Sequence, residues 1–215
     1  MSTHPEQTTQ IAYALGQLGL YLRTAQWRVA DAHALTPTQV GTLTLLHRRG
    51  PNRVRALASQ LGVRHATMSD VVAALARKAL VAKTPDPADG RAVQITLTAE
   101  GGRIAVERDT VPPAMQRALD ALPPGEQAGL RRATSRLIRD LQVQGAIAPQ
   151  RLCVTCRFFR PNVHPDAATP HHCAFVDAAF GDARLRFDCG DHDVAGADLV
   201  RRNLETFETA ASTHE

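Results

Sequence analysis

Apolar residues recur at a helical period through most of the first 145 positions of this chain. From about Thr8 to Ala34 they come every three or four residues without an internal proline, which predicts one long helix. Thr36 followed by Pro37 is typical of a helix start, and this second helix is expected to end at Gly50. Two shorter helices are predicted next, from Val54 to Leu61 and from about His65 to Lys78.

The period then becomes alternating over a short stretch. Residues 80–84 and 91–97 predict two strands, and the second of them alternates Val93, Ile95 and Leu97 with polar or small residues. The intervening residues 85–90 contain two prolines and a glycine, which favours a turn. This stretch therefore predicts a two-stranded hairpin.

Helical periodicity returns after the hairpin. Thr98 is expected to cap a long helix that reaches Leu122, and the sequence Val111-Pro112-Pro113 should kink or divide that helix. A last long helix is predicted from Pro123 to about Gly145. The whole pattern indicates a mainly α chain (α+β) with one small sheet.

The composition changes near residue 150 of the 215. The two tyrosines and the tryptophan lie in the first 27 residues, whereas all six phenylalanines and all four cysteines follow residue 150. With 44% hydrophobic and 21% charged residues the chain is typical of a globular protein, and a cytoplasmic location without membrane attachment is expected. Four segments are predicted: 1–34, 35–101, 102–148 and 149–215.

Positive charge is concentrated in the middle of the chain. Between Arg53 and Arg91 there are seven basic and three acidic residues, a net of +4. From Arg151 onward there are seven basic and ten acidic residues, a net of −3. The middle region is therefore the expected nucleic-acid surface, and the tail is not.

Two short helices, a tight turn and a following hairpin with a basic excess describe a winged helix-turn-helix. The second of these helices suits the major groove of double-stranded DNA, and a charged surface residue without a DNA contact is the alternative for each basic side chain. The candidate DNA-binding residues are Arg53, Arg55, Arg64, His65, Thr67, Ser69, Arg77, Lys78, Lys83, Asp89 and Arg91.

Several motifs in this region resemble those of the MarR family of bacterial transcription regulators. They are Leu35-Thr36-Pro37-Thr38-Gln39-Val40, Leu57-Ala58-x-x-Leu61-Gly62-Val63, Leu80-Val81, Asp89-x-Arg91 and Leu97-Thr98-x-x-Gly101. The resemblance covers roughly residues 8–146, and the order and spacing of the set are more specific than any single motif.

The resemblance implies a homodimer built from the first and last long helices, in which two winged units read a pseudo-palindromic operator, and a repressor function is expected. It implies that Asp89 orients Arg91 into the minor groove. A small-molecule effector pocket is also implied, with Tyr13, Trp27 and His33 as candidate lining residues. Core packing is the alternative for the two aromatics.

Two positions depart from the family pattern. Asp70 stands in the recognition helix where many members have a basic residue, and it is expected either to accept from a cytosine or to pair with Arg77 or another neighbour. Ala79 stands where a glycine usually precedes the wing. The operator of a relative therefore does not transfer to this chain.

The cysteines follow the pattern C-x2-C-x16-C-x15-C at Cys153, Cys156, Cys173 and Cys189. Clustered thiols in a reducing compartment favour one metal centre per chain, with zinc preferred, an iron–sulfur cluster as the alternative, and metal-free redox thiols or disulfides as a third reading. The phenylalanines are expected to surround the site in a small fold with few other large apolar residues. His171, His172 or His192 could replace one cysteine, and His164 is expected in a surface loop. Residues 150–192 resemble a cysteine-rich extension of some MarR-like proteins.

An enzyme is disfavoured, because four cysteines close a metal shell that a catalytic zinc leaves open. The sequence has no nucleophile-elbow, phosphate-binding or His-Glu-x-x-His motif. A protein-interaction adaptor is disfavoured by the basic region and by Asp89-x-Arg91. The metal site is expected either to stiffen the protein or to sense metal or redox state.

Overall fold

The computed structural model describes residues 5–209, so the predicted first and last segments are described without positions 1–4 and 210–215. The chain divides into an N-terminal unit that ends at Gln116 and a C-terminal unit that begins at Arg117. No helix among residues 5–209 combines the length and apolar character needed to cross a bilayer. The elements are α1 (Pro5–Ala32), α2 (Pro37–Arg49), α3 (Val54–Gln60), α4 (His65–Arg77), β1 (Val81–Asp86), β2 (Asp89–Leu97), α5 (Ala99–Asp109), α6 (Pro113–Asp120), α7 (Pro124–Val143), β3 (Phe159–Arg160), β4 (His171–Cys173), β5 (Ala178–Phe180) and α8 (Ala197–Thr209).

The helix starts expected at Thr36 and Thr98 are both present. The Thr36 hydroxyl accepts from the Gln39 amide, and the Gln39 side chain accepts from the Thr36 amide, which forms a reciprocal capping box at the start of α2. The Thr98 hydroxyl accepts from the Gly101 amide at the start of α5. These side chains satisfy backbone donors that the first helical turn leaves without a partner.

The N-terminal unit has an aliphatic core at the centre of the helix-turn-helix. Its fully buried members include Leu43, Leu57, Met68, Leu75 and Ile95, one or more from each of α2, α3, α4 and β2. Each of α2, α3 and α4 therefore turns an apolar face inward, although Leu61 and Val71 are only partly buried.

The hairpin differs from the sequence prediction. A turn was expected over residues 85–90, but β1 and β2 continue to Asp86 and Asp89 and leave a two-residue connection. Pro85 is accommodated because the sheet has only two strands, and the register shifts between Pro85 and Asp86. The prolines after Asp109 divide the predicted helix into α5 and α6. Division was one of the two outcomes expected, and a kink was the other.

The C-terminal unit contains α7, a three-stranded antiparallel sheet in the order β3-β4-β5, and α8. The expectation that the tail has few large apolar residues besides phenylalanine was wrong. Leu152, Leu185 and Leu204 are buried with Phe159 and Phe207 in a core of its own. Neither the sheet nor α8 was predicted, and the strands of two or three residues show no period.

Two helices carry exposed apolar rows. On α1, Ile11, Leu15 and Leu18 are all about half exposed, and the aromatics Tyr13 and Trp27 are 65% and 59% exposed. These two aromatics therefore do not pack into the core of their own chain. On α7, a second row is exposed, formed by Leu130, Leu137 and Leu141.

Candidate nucleic-acid interface and cysteine site

The helix-turn-helix consists of α3, a short turn and α4. Gly62 lies in the turn at φ +65°, a left-handed conformation that side chains with a Cβ rarely adopt. This turn presents the first residues of α4 to solvent, where Arg64, His65 and Thr67 are exposed. Ser69 is half-buried, and its hydroxyl donates to the His65 carbonyl at 3.1 Å. The exposed end of α4 is thus polar and basic, as its predicted role requires.

The hairpin tip is held by a contact that the sequence did not reveal. The Arg53 guanidinium, at the start of α3, donates to Asp86 at 2.7 Å and to Asp89 at 3.4 Å. Asp89 also accepts from the backbone amide of Arg91 at 3.2 Å. The Arg53 hydrogen bond holds the pKa of Asp86 below its usual range. Arg53 therefore braces the hairpin, and the Arg91 side chain next to this cluster is exposed.

The remaining candidates divide between two places. Arg55 and Lys83 are exposed on α3 and β1, whereas Arg77 and Lys78 lie at the carboxyl end of α4, about 18 Å along the helix from His65. The Lys78 ammonium donates to the Ala34 carbonyl, so this lysine connects α4 to the α1–α2 connection. In the part of the chain that the structure describes, the exposed Asp70 has no ion pair with Arg77 or any other residue.

Comparison with known proteins assigns this fold. The model of the MarR family matches residues 35–93, the segment from the start of α2 into β2. This segment is therefore similar to the MarR family. YsmB and YkoM of Bacillus subtilis (strain 168), both named uncharacterized HTH-type transcriptional regulators, are 28% and 30% identical to this chain over 108 and 104 residues. The two matches cover 50% and 46% of this chain and 74% and 66% of those proteins.

Solved structures agree on the fold. A MarR family protein from Bacillus stearothermophilus superimposes with a TM-score of 0.56 at 19% identity, covering 66% of this chain and 99% of that one. A mutant of MepR from a multidrug-resistant S. aureus clinical isolate gives 0.52 at 19% identity, covering 61% and 96%. The two matched Bacillus subtilis proteins are transcriptional regulators by name.

Close backbone packing explains why a glycine stands at position 101, in the motif that follows the hairpin. A Cβ added at Gly101 would lie 2.0 Å from the backbone carbonyl oxygen of Leu80. The start of α5 therefore packs directly on the backbone that leads into β1. Ala79, in the position where a glycine usually stands, has φ +55°, so the domain retains the left-handed backbone without the usual residue.

All four cysteines line one cavity of about 190 Å³ in the C-terminal unit. Cys153 and Cys156 lie on a single 3-10 turn, where the Cys156 amide donates to the Cys153 carbonyl at 2.9 Å. Cys173 ends β4, and Cys189 lies in the loop before α8. Four residues far apart in sequence therefore converge on one space.

The environment of the thiols is largely apolar. Burial, opposed by a hydrogen bond from the Arg186 amide, raises the pKa of the Cys153 thiol to about 11. Without a bound cation this thiol is therefore protonated at neutral pH, unlike the thiolate of a reactive redox cysteine. Among residues 5–209, no three His, Cys, Asp or Glu side chains meet closely enough to hold a single ion. The four thiols thus surround a space instead of meeting at one point.

The histidines suggested as alternative ligands have other partners. The buried His171 accepts from the Asn162 amide through Nδ1 at 3.2 Å, so its proton is on Nε2 and is donated to Asp182 at 2.7 Å. His172 contacts His164 at 3.2 Å, and His164 lies in the loop between β3 and β4, as expected, where it is half-buried. His192 contacts Thr155 at 3.1 Å. None of these histidines lines the cavity.

A polar cluster joins the cysteine region to α7 within the C-terminal unit. Arg132 of α7 reaches Asp182 at 3.3 Å and stacks over the ring of Phe207 at 3.9 Å. Arg131 donates to the Leu185 carbonyl at 3.0 Å. Burial acts to raise the pKa of Asp182, but the hydrogen bond from His171 and the charge of Arg132 outweigh it and leave that pKa below its usual value.

Sequence reasoning missed the residues that position others. Asp86 was assigned to a turn. It is far from Arg53 in the sequence, but the two side chains form an ion pair because the hairpin folds back to α3. Asp182 and Arg132 have no motif around them. Asp182 is revealed by its contact with the buried His171, and Arg132 by its contact with Asp182. These contacts can be recognised only in the folded structure, since no period or spacing in the sequence connects Arg132, His171 and Asp182.

Proposed function

We propose that this protein is a homodimeric transcription regulator, acting as a repressor, that binds a pseudo-palindromic operator in double-stranded DNA. The observation that carries this proposal is the exposed polar start of α4 beside a hairpin braced by Arg53. MarR-family homology of residues 35–93 supports it.

In this proposal α4 enters the major groove with its first turn. Arg64 and His65 contact phosphates or base edges, and Thr67 and Ser69 supply short polar groups. Arg91 extends from the hairpin toward the minor groove, and Arg53 holds the hairpin through Asp86 and Asp89. Arg53 is then a positioning residue and not a phosphate contact.

A second copy of the chain covers the exposed apolar rows. Ile11, Leu15 and Leu18 on α1 and Leu130, Leu137 and Leu141 on α7 are each more than 40% exposed. Rows of this kind at helical spacing are unusual on a monomer surface and favour association. A dimer presents two α4 helices, as a two-fold symmetric operator requires.

The four cysteines hold one metal centre per chain, either zinc or an iron–sulfur cluster. Their convergence on one cavity supports this centre, and the net negative charge of the tail argues against a DNA contact there. The centre stiffens the protein or reports metal or redox state to the DNA-binding domain. A small-molecule effector remains part of the proposal through the family homology alone.

The DNA proposal is tested with duplexes selected from a random-sequence pool and mapped by footprinting. We expect two protected half-sites about 10 base pairs apart, centre to centre, or a multiple of that. Arg64→Ala should weaken the complex, whereas Arg201→Ala, in an exposed pair with Asp198 on α8, should not. A single asymmetric footprint, or no selected sequence, would contradict the proposal.

The dimer is tested by sedimentation at micromolar concentration. Leu137→Asp places a charge in the exposed row of α7 and should give monomers. Val163→Asp changes a loop residue of similar exposure, 56% against 48%, and should leave the dimer intact. If Leu137→Asp remains a dimer, α7 is not in the interface.

A further inference from the structure

The size and lining of the cysteine cavity point to one of the two proposed metal centres. We infer that Cys153, Cys156, Cys173 and Cys189 hold an iron–sulfur cluster, and that this cluster, not a single zinc ion, fills the cavity they line. The inference rests on the metal centre proposed above and names its chemical class.

The first argument is size. Zinc binds four thiolates at about 2.3 Å, which places neighbouring sulfur atoms about 3.8 Å apart, in contact, with no space between them. The cavity has a volume of about 190 Å³, the share of about six water molecules in the liquid. The cysteines therefore line a space with room for the iron and sulfide of a cluster.

The second argument is the cavity wall. Besides the cysteines it is formed largely by apolar side chains, including Phe158, Phe159, Phe175 and Phe180. Phe159 is buried, and Phe158 packs against Phe175 with ring centroids 5.2 Å apart. An apolar surround is one of the means by which a protein stabilises and tunes a cluster, whereas a closed zinc shell does not depend on it.

The third argument is the set of donors to sulfur. The Arg186 amide donates to the Cys153 sulfur at 3.3 Å, and the Arg186 guanidinium lies 4.0 Å from the Cys189 sulfur. Arg184 also lines the cavity. Each thiol loses its proton on binding iron, so the loaded centre is anionic. Amide and guanidinium donors stabilise the resulting negative charge on the ligand sulfurs.

The test is a metal and sulfide analysis of the full chain purified without oxygen. We expect iron and acid-labile sulfide in equal amounts, about two to four of each per chain, with the broad visible absorption of a cluster. Cys173→Ser should lower both together. One zinc per chain without sulfide, or four free thiols without metal, would overturn the assignment.

A second measurement places the cluster in this cavity. Phe175, 52% exposed at the cavity wall, is replaced in Phe175→Ala, and Val163→Ala serves as a control of similar exposure away from the wall. Phe175→Ala should shorten the bleaching time of the cluster in air several-fold, and the control should match the wild type. Equal bleaching times for all three proteins would overturn the placement.

DNA binding is measured on the same preparations, so that the two proposals fail separately. A protein that binds the selected duplex but contains zinc contradicts the cluster and leaves the DNA-binding function intact. A protein that contains iron and sulfide but does not distinguish selected from random duplex contradicts the DNA-binding function instead.

Discussion

The N-terminal and C-terminal units close their interiors in different ways. In the N-terminal unit, aliphatic side chains from α2, α3, α4 and β2 form the core, and Leu43, Leu57 and Leu75 are inaccessible to solvent. In the C-terminal unit, a smaller core around Phe159 and Phe207 lies beside a cavity lined by four cysteines.

The difference concerns what each unit needs in order to be stable. A filled aliphatic core is stabilised by burial of its own side chains, about 25 cal/mol for each Å² removed from water. Side chains that line a cavity lack packing partners on that side. A group bound in the cavity therefore adds to the stability of the unit the contacts that packing does not provide. The N-terminal unit should therefore respond to changes in packing, and the C-terminal unit to packing and to its ligand together.

The largest effect is expected at Gly101. Gly101→Ala places a Cβ 2.0 Å from the Leu80 carbonyl oxygen, and since the clash is with backbone it should destabilise the N-terminal unit by about 3 kcal/mol. Gly102→Ala is the matched control, because no atom lies within 4 Å of its Cβ and alanine favours helix. Urea denaturation with peptide-resolved hydrogen exchange measures both. If the two variants behave alike, the close contact at Gly101 is refuted.

A similar contact in the C-terminal unit tests the dependence on ligand. The Cβ in Gly181→Ala would lie 2.2 Å from the Ala168 carbonyl oxygen, which should cost about 2 kcal/mol and lower the metal content of the protein. Gly196→Ala meets no atom within 4 Å and should retain full metal content. Gly181→Ala with undiminished metal content would show that the site does not depend on this packing.

Acid should weaken the C-terminal unit through Asp182. Because the pKa of Asp182 is lower in the folded protein, its stabilising effect is present above the unfolded pKa of about 3.9 and is lost as the pH falls through the folded value. Asp182→Asn should therefore flatten the pH dependence of stability below pH 4. Asp177→Asn, at a side chain that is 95% exposed, is the control and should keep it. Identical acid profiles for both variants would remove Asp182 from this explanation.

The smallest effect is a gain in the N-terminal unit. Ala79 has φ +55°, so Ala79→Gly should relieve backbone strain and stabilise the protein by about 1 kcal/mol. Ala73→Gly, within α4, should destabilise it by a similar amount because glycine disfavours helix. Thermal unfolding should show shifts of opposite sign, and a loss of stability in Ala79→Gly would mean that this backbone is not strained.

The same difference between the units explains what the sequence could predict. Helices α2 to α4 carry apolar residues at a regular period, and Thr36 caps α2, so the bounds of these three helices were predicted within one residue. The cysteines were recognised as a cluster, but β3, β4 and β5 are two or three residues long and have no period to detect. Arg53 was assigned to DNA because its charge is visible in the sequence, whereas its pairing with Asp86 depends on how the hairpin folds.

The most direct test of the central claim, that the winged helix binds DNA through its basic residues, is the salt dependence of affinity for the selected duplex. For the wild type we predict that log K falls linearly with log salt concentration, because bound phosphates release counterions. Arg91→Ala should lower the slope by about 2, since each chain of the proposed dimer loses one cationic contact with DNA, and Arg201→Ala should leave it unchanged. Affinity that does not vary with salt, or an equal slope for Arg91→Ala and the wild type, would contradict the account.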